Sequence, residues 1–184
     1  MKKLPNLITG TRVILSIILL FLVRQPLAFV IVYFYCGISD FADGFIARRF
    51  KIETAIGAKL DSLADFIFFA VNLFILITMV RIGNLALVIA TITAIATIRV
   101  VNLIVTKQKF SQWGIIHTVA NKAAGGTLFI SMPICVWLGS VPSWLIISVG
   151  IVATISAIEE LLILITAEIY NANRKYFFIP KDHL

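Results

Sequence analysis

The chain has 184 residues, of which 60% are hydrophobic and 14% are charged, and its formal net charge is +7. Water-soluble domains average about 45–50% apolar and about 25% charged residues, so this composition argues against a soluble fold and favours lipid as the solvent. The positive charge then indicates lipid headgroups and membrane orientation, because no further feature supports a nucleic-acid partner. Cys36 and Cys135 each lie alone in an apolar segment, which is typical of core packing.

Apolar stretches of about 20 residues recur along the chain, and each is long enough to cross a membrane as a helix. Residues 2–10 are a candidate for a short interfacial helix before the first of them. The pattern predicts an all-α integral membrane protein with six transmembrane helices and a single domain over residues 1–184. The predicted spans are, in chain order, about 11–24, 27–48, 61–81, 84–106, 114–138 and 143–168.

Lys and Arg residues are distributed unequally between the two sides of the predicted membrane. Twelve of them, Arg12 included, fall on the side of the chain ends, and two, Arg24 and Arg81, fall on the other. The positive-inside rule therefore predicts cytoplasmic termini and a cytoplasmic loop over 48–60. The expected location is the cytoplasmic membrane, as a multi-pass protein among membrane lipids.

Four aspartates lie within the second and third predicted spans, where a charge costs at least ~2.5–3.5 kcal/mol at the bilayer centre. Asp40 and Asp43 are three residues apart, and Asp61 and Asp65 are four apart, so each pair shares a helix face. Facing carboxylates repel one another unless cations neutralise them. Mg²⁺ and Mn²⁺ prefer such oxygen ligands, so the pattern predicts a site for divalent ions.

The later spans carry charges as well: Arg99 on the fourth, Lys122 on the fifth, and Glu159 and Glu160 on the sixth. At about 1.5 Å per residue, these charges and the aspartates all fall in the cytoplasmic half of their spans. The pattern predicts a polar cavity that opens to the cytoplasmic side. Arg99 and Lys122 are the only buried cations expected, and an internal ion pair with Glu159 or Glu160 is the alternative to a binding role.

Residues 40–65 read D-x2-D-G-x2-A-R-x8-G-x3-D-x3-D. At all eight fixed positions this segment resembles the signature of the CDP-alcohol phosphatidyltransferase family. The resemblance implies an enzyme that moves the phosphatidyl group of CDP-diacylglycerol to a small polar alcohol and releases CMP. It also implies dependence on two Mg²⁺ or Mn²⁺ ions, and a homodimer.

The resemblance further implies roles for individual side chains. Asp40, Asp43 and Asp61 would hold the metal ions, with Asp65 beside them. Asp65 would also take the proton of the acceptor hydroxyl, for which it has to reach that group. The residues that would bind the CDP moiety are Gly44, Ala47, Arg48 and Gly57.

The acceptor is the least determined part of the function. The opening over residues 5–12, P-N-L-I-T-x-x-R, resembles that of phosphatidylglycerophosphate synthases, whose acceptor is glycerol 3-phosphate. An anionic acceptor needs buried cations, which makes Arg99 and Lys122 the candidate acceptor-binding residues. However, that subgroup usually has Pro and Lys where this chain has Ser62 and Phe66.

Two alternatives to glycerol 3-phosphate transfer follow. Asp-Ser at the third motif aspartate is closer to phosphatidylserine synthases and some inositol-phosphate enzymes of the same family. An ion- or proton-coupled transporter is the alternative from another class. It would place polar groups through the outer half of the spans, and the sequence does not show them.

Overall fold

The computed structural model describes residues 4–49, 55–116, 118–171 and 174, without the side chains of 4–6, 41, 44, 46–48, 55 and 56. The described residues form six α-helices and two short strands that pair in one sheet. The helices are α1 Leu4–Leu22, α2 Pro26–Arg49, α3 Ala55–Thr78, α4 Leu85–Phe110, α5 Val119–Leu138 and α6 Ser143–Thr166; the strands are β1 Arg81–Ile82 and β2 Ser140–Val141.

Four helical segments of the described chain are long and apolar enough to cross a membrane, and two apolar segments are shorter. The shorter ones are Leu7–Leu22 in α1 and Pro26–Asp40 in α2. In α2, the motif charges from Asp40 onward interrupt the apolar stretch. A helical membrane architecture is therefore supported, whereas six membrane spans remain a prediction. The four long segments are Gly57–Thr78, Leu85–Phe110, Val119–Leu138 and Ser143–Thr166.

Residues 4–10, the described part of the predicted interfacial helix over residues 2–10, are helical but do not form a separate helix, and their interfacial location stays a prediction. Residues 4–10 are the first turns of α1, which continues to Leu22 without a break. Likewise, α4 runs beyond its predicted end to Phe110, and Ser111 closes it in the left-handed conformation with φ 58°, its N–H donating to the Lys107 carbonyl at 3.0 Å. A hydropathy window finds the apolar part of a helix, whereas polar end turns stay helical through backbone hydrogen bonds.

The strands were not predicted, because two-residue strands have no periodicity to detect. Gly139, with φ +63°, follows α5 in the left-handed region that glycine adopts without strain. Its carbonyl accepts a hydrogen bond from the Arg81 N–H at 3.1 Å. This turn therefore ends α5 and ties it to the segment after α3.

The described chain divides into two compact units. The first comprises Met1–Ile82 and Met132–Ser140. Within it, α1 packs against both α2 and α3, and its buried core includes Leu19 and Phe29. Tyr33 stacks on Phe29 with ring centroids 5.8 Å apart. This packing places one face of α1 beside the motif residues of α2 and α3.

The second unit comprises Gly83–Ser131 and Val141–Leu184, and its main helix contact is between α4 and α6. Ile116, Ile163 and Leu164 form a buried cluster there. The Lys109 ammonium donates to the carbonyl of Leu164 at 3.0 Å, which satisfies one of the free acceptors at the end of α6. The cluster fixes the segment before α5 against α6. A single domain over 1–184 stays a prediction.

Candidate functional site

One face of α1 carries three buried polar side chains. Thr9, Arg12 and Ser16 follow one another at helical spacing and are 5%, 1% and 0% exposed. The Ser16 hydroxyl donates to the Arg12 carbonyl at 2.7 Å, within its own helix. Thr9 and Arg12 interact with aspartates of the neighbouring helices.

The Arg12 guanidinium lies among all four motif aspartates. Its Nη1 donates to Asp40 Oδ1, and its Nη2 donates to Asp61 Oδ1 at 2.5 Å. The same Nη2 is 3.5 Å from Asp65 Oδ1 and 3.9 Å from Asp43 Oδ2. The structure therefore brings the predicted carboxylates together, and it adds a cation that was not predicted there.

Burial divides this cluster into a closed and an open side. The side chain of Arg12 is 1% exposed, whereas those of Asp40, Asp61 and Asp65 are 49%, 43% and 57% exposed. Each of these three aspartates offers a carboxylate oxygen, and the three oxygens lie within 4.8 Å of one another. Such a group could hold a divalent cation, since Mg²⁺ and Mn²⁺ bind carboxylate oxygens.

Asp43 lies on the closed side of the cluster. Its carboxylate is 4% exposed and accepts a hydrogen bond from the Thr9 hydroxyl at 2.8 Å. It does not belong to the group of three oxygens described above. A metal site with all four aspartates as ligands therefore remains a prediction.

The predicted CDP-binding residues lie where α2 ends and α3 begins. Gly44, Ala47 and Arg48 belong to the last turns of α2, but their side chains fall outside the described residues. Gly57 lies in the first turn of α3 and is partly buried. Their contacts with a nucleotide stay a prediction.

Arg99, the predicted acceptor ligand on α4, is the centre of a polar network in the second unit. Its Nη1 donates to Glu160 Oε2 on α6, and its Nη2 donates to Asn121 Oδ1 at 3.0 Å and to Ser156 Oγ at 3.2 Å. The Arg99 side chain is 26% exposed. The ion pair with Glu160, the alternative that the sequence left open, is thus present.

Glu160 is 2% exposed and is anchored by two further donors. Its Oε1 accepts the backbone N–H of Ile116 at 2.9 Å, and its Oε2 accepts Asn102 Nδ2 at 3.3 Å. A buried carboxylate that accepts several hydrogen bonds is held in one orientation. Glu160 therefore fixes the plane of the Arg99 guanidinium.

The expectation that Arg99 and Lys122 are the only buried cations is wrong. Arg12 is buried, and Lys122 is exposed and forms no ion pair with any residue that the structure describes. Sequence reasoning missed Arg12 because it counted the residue only among the positive charges on the cytoplasmic side. The signal was a polar stripe on an apolar helix, formed by Thr9, Arg12 and Ser16 at i, i+3 and i+7.

Comparison with known proteins relates this chain to lipid-synthesising enzymes. It is 39% identical over 70 residues to a CDP-diacylglycerol–glycerol-3-phosphate 3-phosphatidyltransferase of Rickettsia typhi, covering 35% of this chain and 39% of the relative. The protein of the same name from Aquifex aeolicus is 37% identical over 68 residues, covering 36% and 38%. The chain spans about two fifths of the length of these curated relatives.

A third relative is a CMP-forming cardiolipin synthase and mitochondrial hydrolase fusion protein of Schizosaccharomyces pombe. It is 38% identical over 64 residues, which are 34% of this chain and 11% of the relative. No solved structure matches the chain. The family model for CDP-alcohol phosphatidyltransferase matches residues 2–166, and with nearly the whole chain covered, the protein belongs to the CDP-alcohol phosphatidyltransferase family, as the motif over 40–65 predicts.

Proposed function

We propose that this protein transfers the phosphatidyl group of CDP-diacylglycerol to glycerol 3-phosphate and releases CMP. The observation that carries the proposal is the convergence of Asp40, Asp61 and Asp65 to within 4.8 Å in a chain of this family. The acceptor follows the names of the relatives from Rickettsia typhi and Aquifex aeolicus and the resemblance of the opening over residues 5–12.

The proposed reaction is a displacement at phosphorus. The acceptor hydroxyl oxygen forms a bond to the phosphorus that carries the diacylglycerol, the bond from that phosphorus to the CMP oxygen breaks, and the hydroxyl proton goes to a base. Two Mg²⁺ or Mn²⁺ ions, when bound, would draw negative charge from the pyrophosphate. Their proposed ligands are Asp40, Asp43, Asp61 and Asp65.

Asp65 is the proposed base. Its side chain is 57% exposed, the most of the four carboxylates, and it lies 3.5 Å from Arg12, whereas Asp40 and Asp61 accept hydrogen bonds from that residue. An exposed carboxylate is accessible to a hydroxyl group that approaches from solvent. These contacts support Asp65 over its neighbours.

The donor is proposed to lie at the end of α2 and the start of α3. Gly44, Ala47 and Gly57 have little or no side chain, so a nucleotide could approach the backbone closely. Arg48 would pair with a phosphate oxygen through its planar guanidinium. Their place in the family motif, next to the carboxylates, supports this assignment.

Arg99 is the proposed ligand of the acceptor phosphate, with Lys122 as a second charge. Glu160 fixes the guanidinium from its buried side, while about a quarter of the Arg99 side chain stays exposed. A fixed and partly exposed guanidinium suits the oxygens of a phosphate. Exposure of Lys122 leaves its ammonium accessible to an anion.

The proposed setting is the cytoplasmic membrane. We place all six helices across it within one domain over 1–184, with both termini and the polar cavity on the cytoplasmic side. The Lys and Arg distribution supports this orientation, and the apolar character of the four long helices supports the membrane. A homodimer follows from the family resemblance.

The test is an acceptor panel with the purified protein in detergent. CDP-diacylglycerol is supplied with glycerol 3-phosphate, serine, inositol phosphate or phosphatidylglycerol, and both CMP and the lipid product are quantified. Only glycerol 3-phosphate should raise CMP release well above the reaction without acceptor. Turnover with serine and none with glycerol 3-phosphate would overturn the assignment of the acceptor, but phosphatidyl transfer from CDP-diacylglycerol would still stand. No CMP release with any acceptor would overturn the proposed function.

A further inference from the structure

Arg12 is the most deeply buried charge of the carboxylate cluster, and the proposed reaction assigns it no role. Its side chain is 1% exposed, and its Nε has no hydrogen-bond acceptor within the described part of the chain. Both terminal nitrogens, by contrast, point to carboxylates of other helices. The guanidinium is therefore held there by electrostatic attraction to Asp40 and Asp61.

The cluster is unbalanced in charge. Four carboxylates and one guanidinium give a formal charge of −3 when all are ionised. Arg12 lies near the Oδ1 atoms of Asp40, Asp61 and Asp65, and these three carboxylates remain about half exposed on the other side. A cation that enters from solvent thus meets carboxylates that a buried charge already holds together.

We propose that Arg12 is a positioning residue, the internal counter-ion of this cluster. It keeps the four carboxylates together when no divalent ion is bound, and its positive charge weakens the binding of such an ion. The proposal rests on the metal dependence in the proposed function. Like charges a few ångströms apart repel one another, so loss of Arg12 leaves more carboxylate repulsion for a divalent ion to relieve.

The sign of the effect separates this role from a purely structural one. If Arg12 served only to shape the site, its removal would weaken metal binding together with the fold. If it is a counter-ion, its removal lowers the stability of the metal-free protein and raises the affinity for the metal. Lysine keeps the charge but cannot bridge two carboxylates with a planar fork, so Arg12→Lys should lie between wild type and Arg12→Gln.

The experiment uses Mn²⁺ with the full chain in detergent. Wild type, Arg12→Gln and Arg12→Lys are compared by thermal unfolding in EDTA and in saturating Mn²⁺, and Mn²⁺ affinity is measured by electron paramagnetic resonance of the free ion. Arg24→Gln is the matched control, because it removes the same charge at an exposed position outside α1.

Arg12→Gln should bind Mn²⁺ about tenfold or more tightly than wild type. Its gain in melting temperature on adding Mn²⁺ should exceed that of wild type by about 3–6 °C, while Arg24→Gln matches wild type. An equal or smaller gain in Arg12→Gln overturns the inference and leaves the proposed function standing. If Arg12→Gln cannot be recovered folded, Arg12→Lys provides the test. A gain in its melting temperature with Mn²⁺ that is no larger than that of wild type then overturns the inference. Absence of Mn²⁺ binding by every variant overturns the proposed metal dependence together with it.

Discussion

Arg12 in the first unit and Arg99 in the second each bind carboxylates on other helices, but their burial is reversed. At Arg12 the cation is 1% exposed, and Asp40, Asp61 and Asp65 are 43–57% exposed. At Arg99 the carboxylate of Glu160 is 2% exposed, and the cation is 26% exposed. Each centre therefore presents one sign of charge and buries the other.

The exposed partner determines which ligand each centre suits. Exposed carboxylates above a buried arginine attract cations, which fits the proposed divalent ions. A partly exposed arginine above a buried carboxylate attracts anions, which fits the phosphate of glycerol 3-phosphate. In both, the buried partner orients the exposed one, so that side-chain freedom is lost before a ligand arrives.

The largest expected effect comes from removing the metal or one of its proposed ligands. Chelation with EDTA, or Asp61→Asn, should reduce CMP release below detection, because facing carboxylates without divalent ions repel the pyrophosphate. CMP release is measured at saturating CDP-diacylglycerol, and added Mg²⁺ or Mn²⁺ should restore the chelated wild type. Full turnover in EDTA would contradict the proposed binding of divalent ions at the carboxylates around Arg12.

Asp65→Asn should lower kcat by about 10²–10⁴-fold, the usual contribution of a general base. Binding of CDP-diacylglycerol should be partly retained, since Asp40 and Asp61 keep their contacts with Arg12. Single-turnover kinetics and donor binding separate the two quantities. Thr78→Val, an exposed change on the same helix, is the control that should turn over like wild type. Near-normal kcat in Asp65→Asn would exclude it as the base.

Arg99→Lys should raise the KM for glycerol 3-phosphate about tenfold to hundredfold, because a charge-assisted hydrogen bond contributes roughly 1.5–3 kcal/mol. The KM for CDP-diacylglycerol should change much less. Lysine is preferred to alanine here, since Arg99→Ala would leave Glu160 buried without its cation and destabilise the fold by about 3–5 kcal/mol.

The melting temperature of Arg99→Lys, measured in the same detergent, is the control for folding. A folded Arg99→Lys protein with an unchanged KM for glycerol 3-phosphate would make the pair with Glu160 structural only. The two arginine centres would then differ in which charge is buried, but the difference would not determine which ligand each one binds.

Sequence reasoning reached the helices and the motif aspartates because both follow local rules. Apolar length predicts helices, and the spacings of Asp40–Asp43 and Asp61–Asp65 place each pair on one face. It could not assign the partners of Arg12, which are 28 and 49 residues away in the chain. Whether an arginine near a helix start points to solvent or to a neighbouring helix is decided by tertiary packing. The start of α1 and the end of α4 were not predicted for a related reason. The prediction follows apolar stretches, and these helical turns are polar.

The pairing of Arg12 with Asp40 also bears on how the protein enters its membrane. The two residues are 28 positions apart, so the arginine is synthesised well before its partner. An arginine inside a membrane span costs free energy when it has no partner, and in the proposed arrangement the ion pair with Asp40 offsets part of that cost. The smallest segment in which this charge has a partner is the hairpin of α1 and α2. In the proposed six-span arrangement, insertion of these two helices together is therefore more favourable than insertion of either one alone.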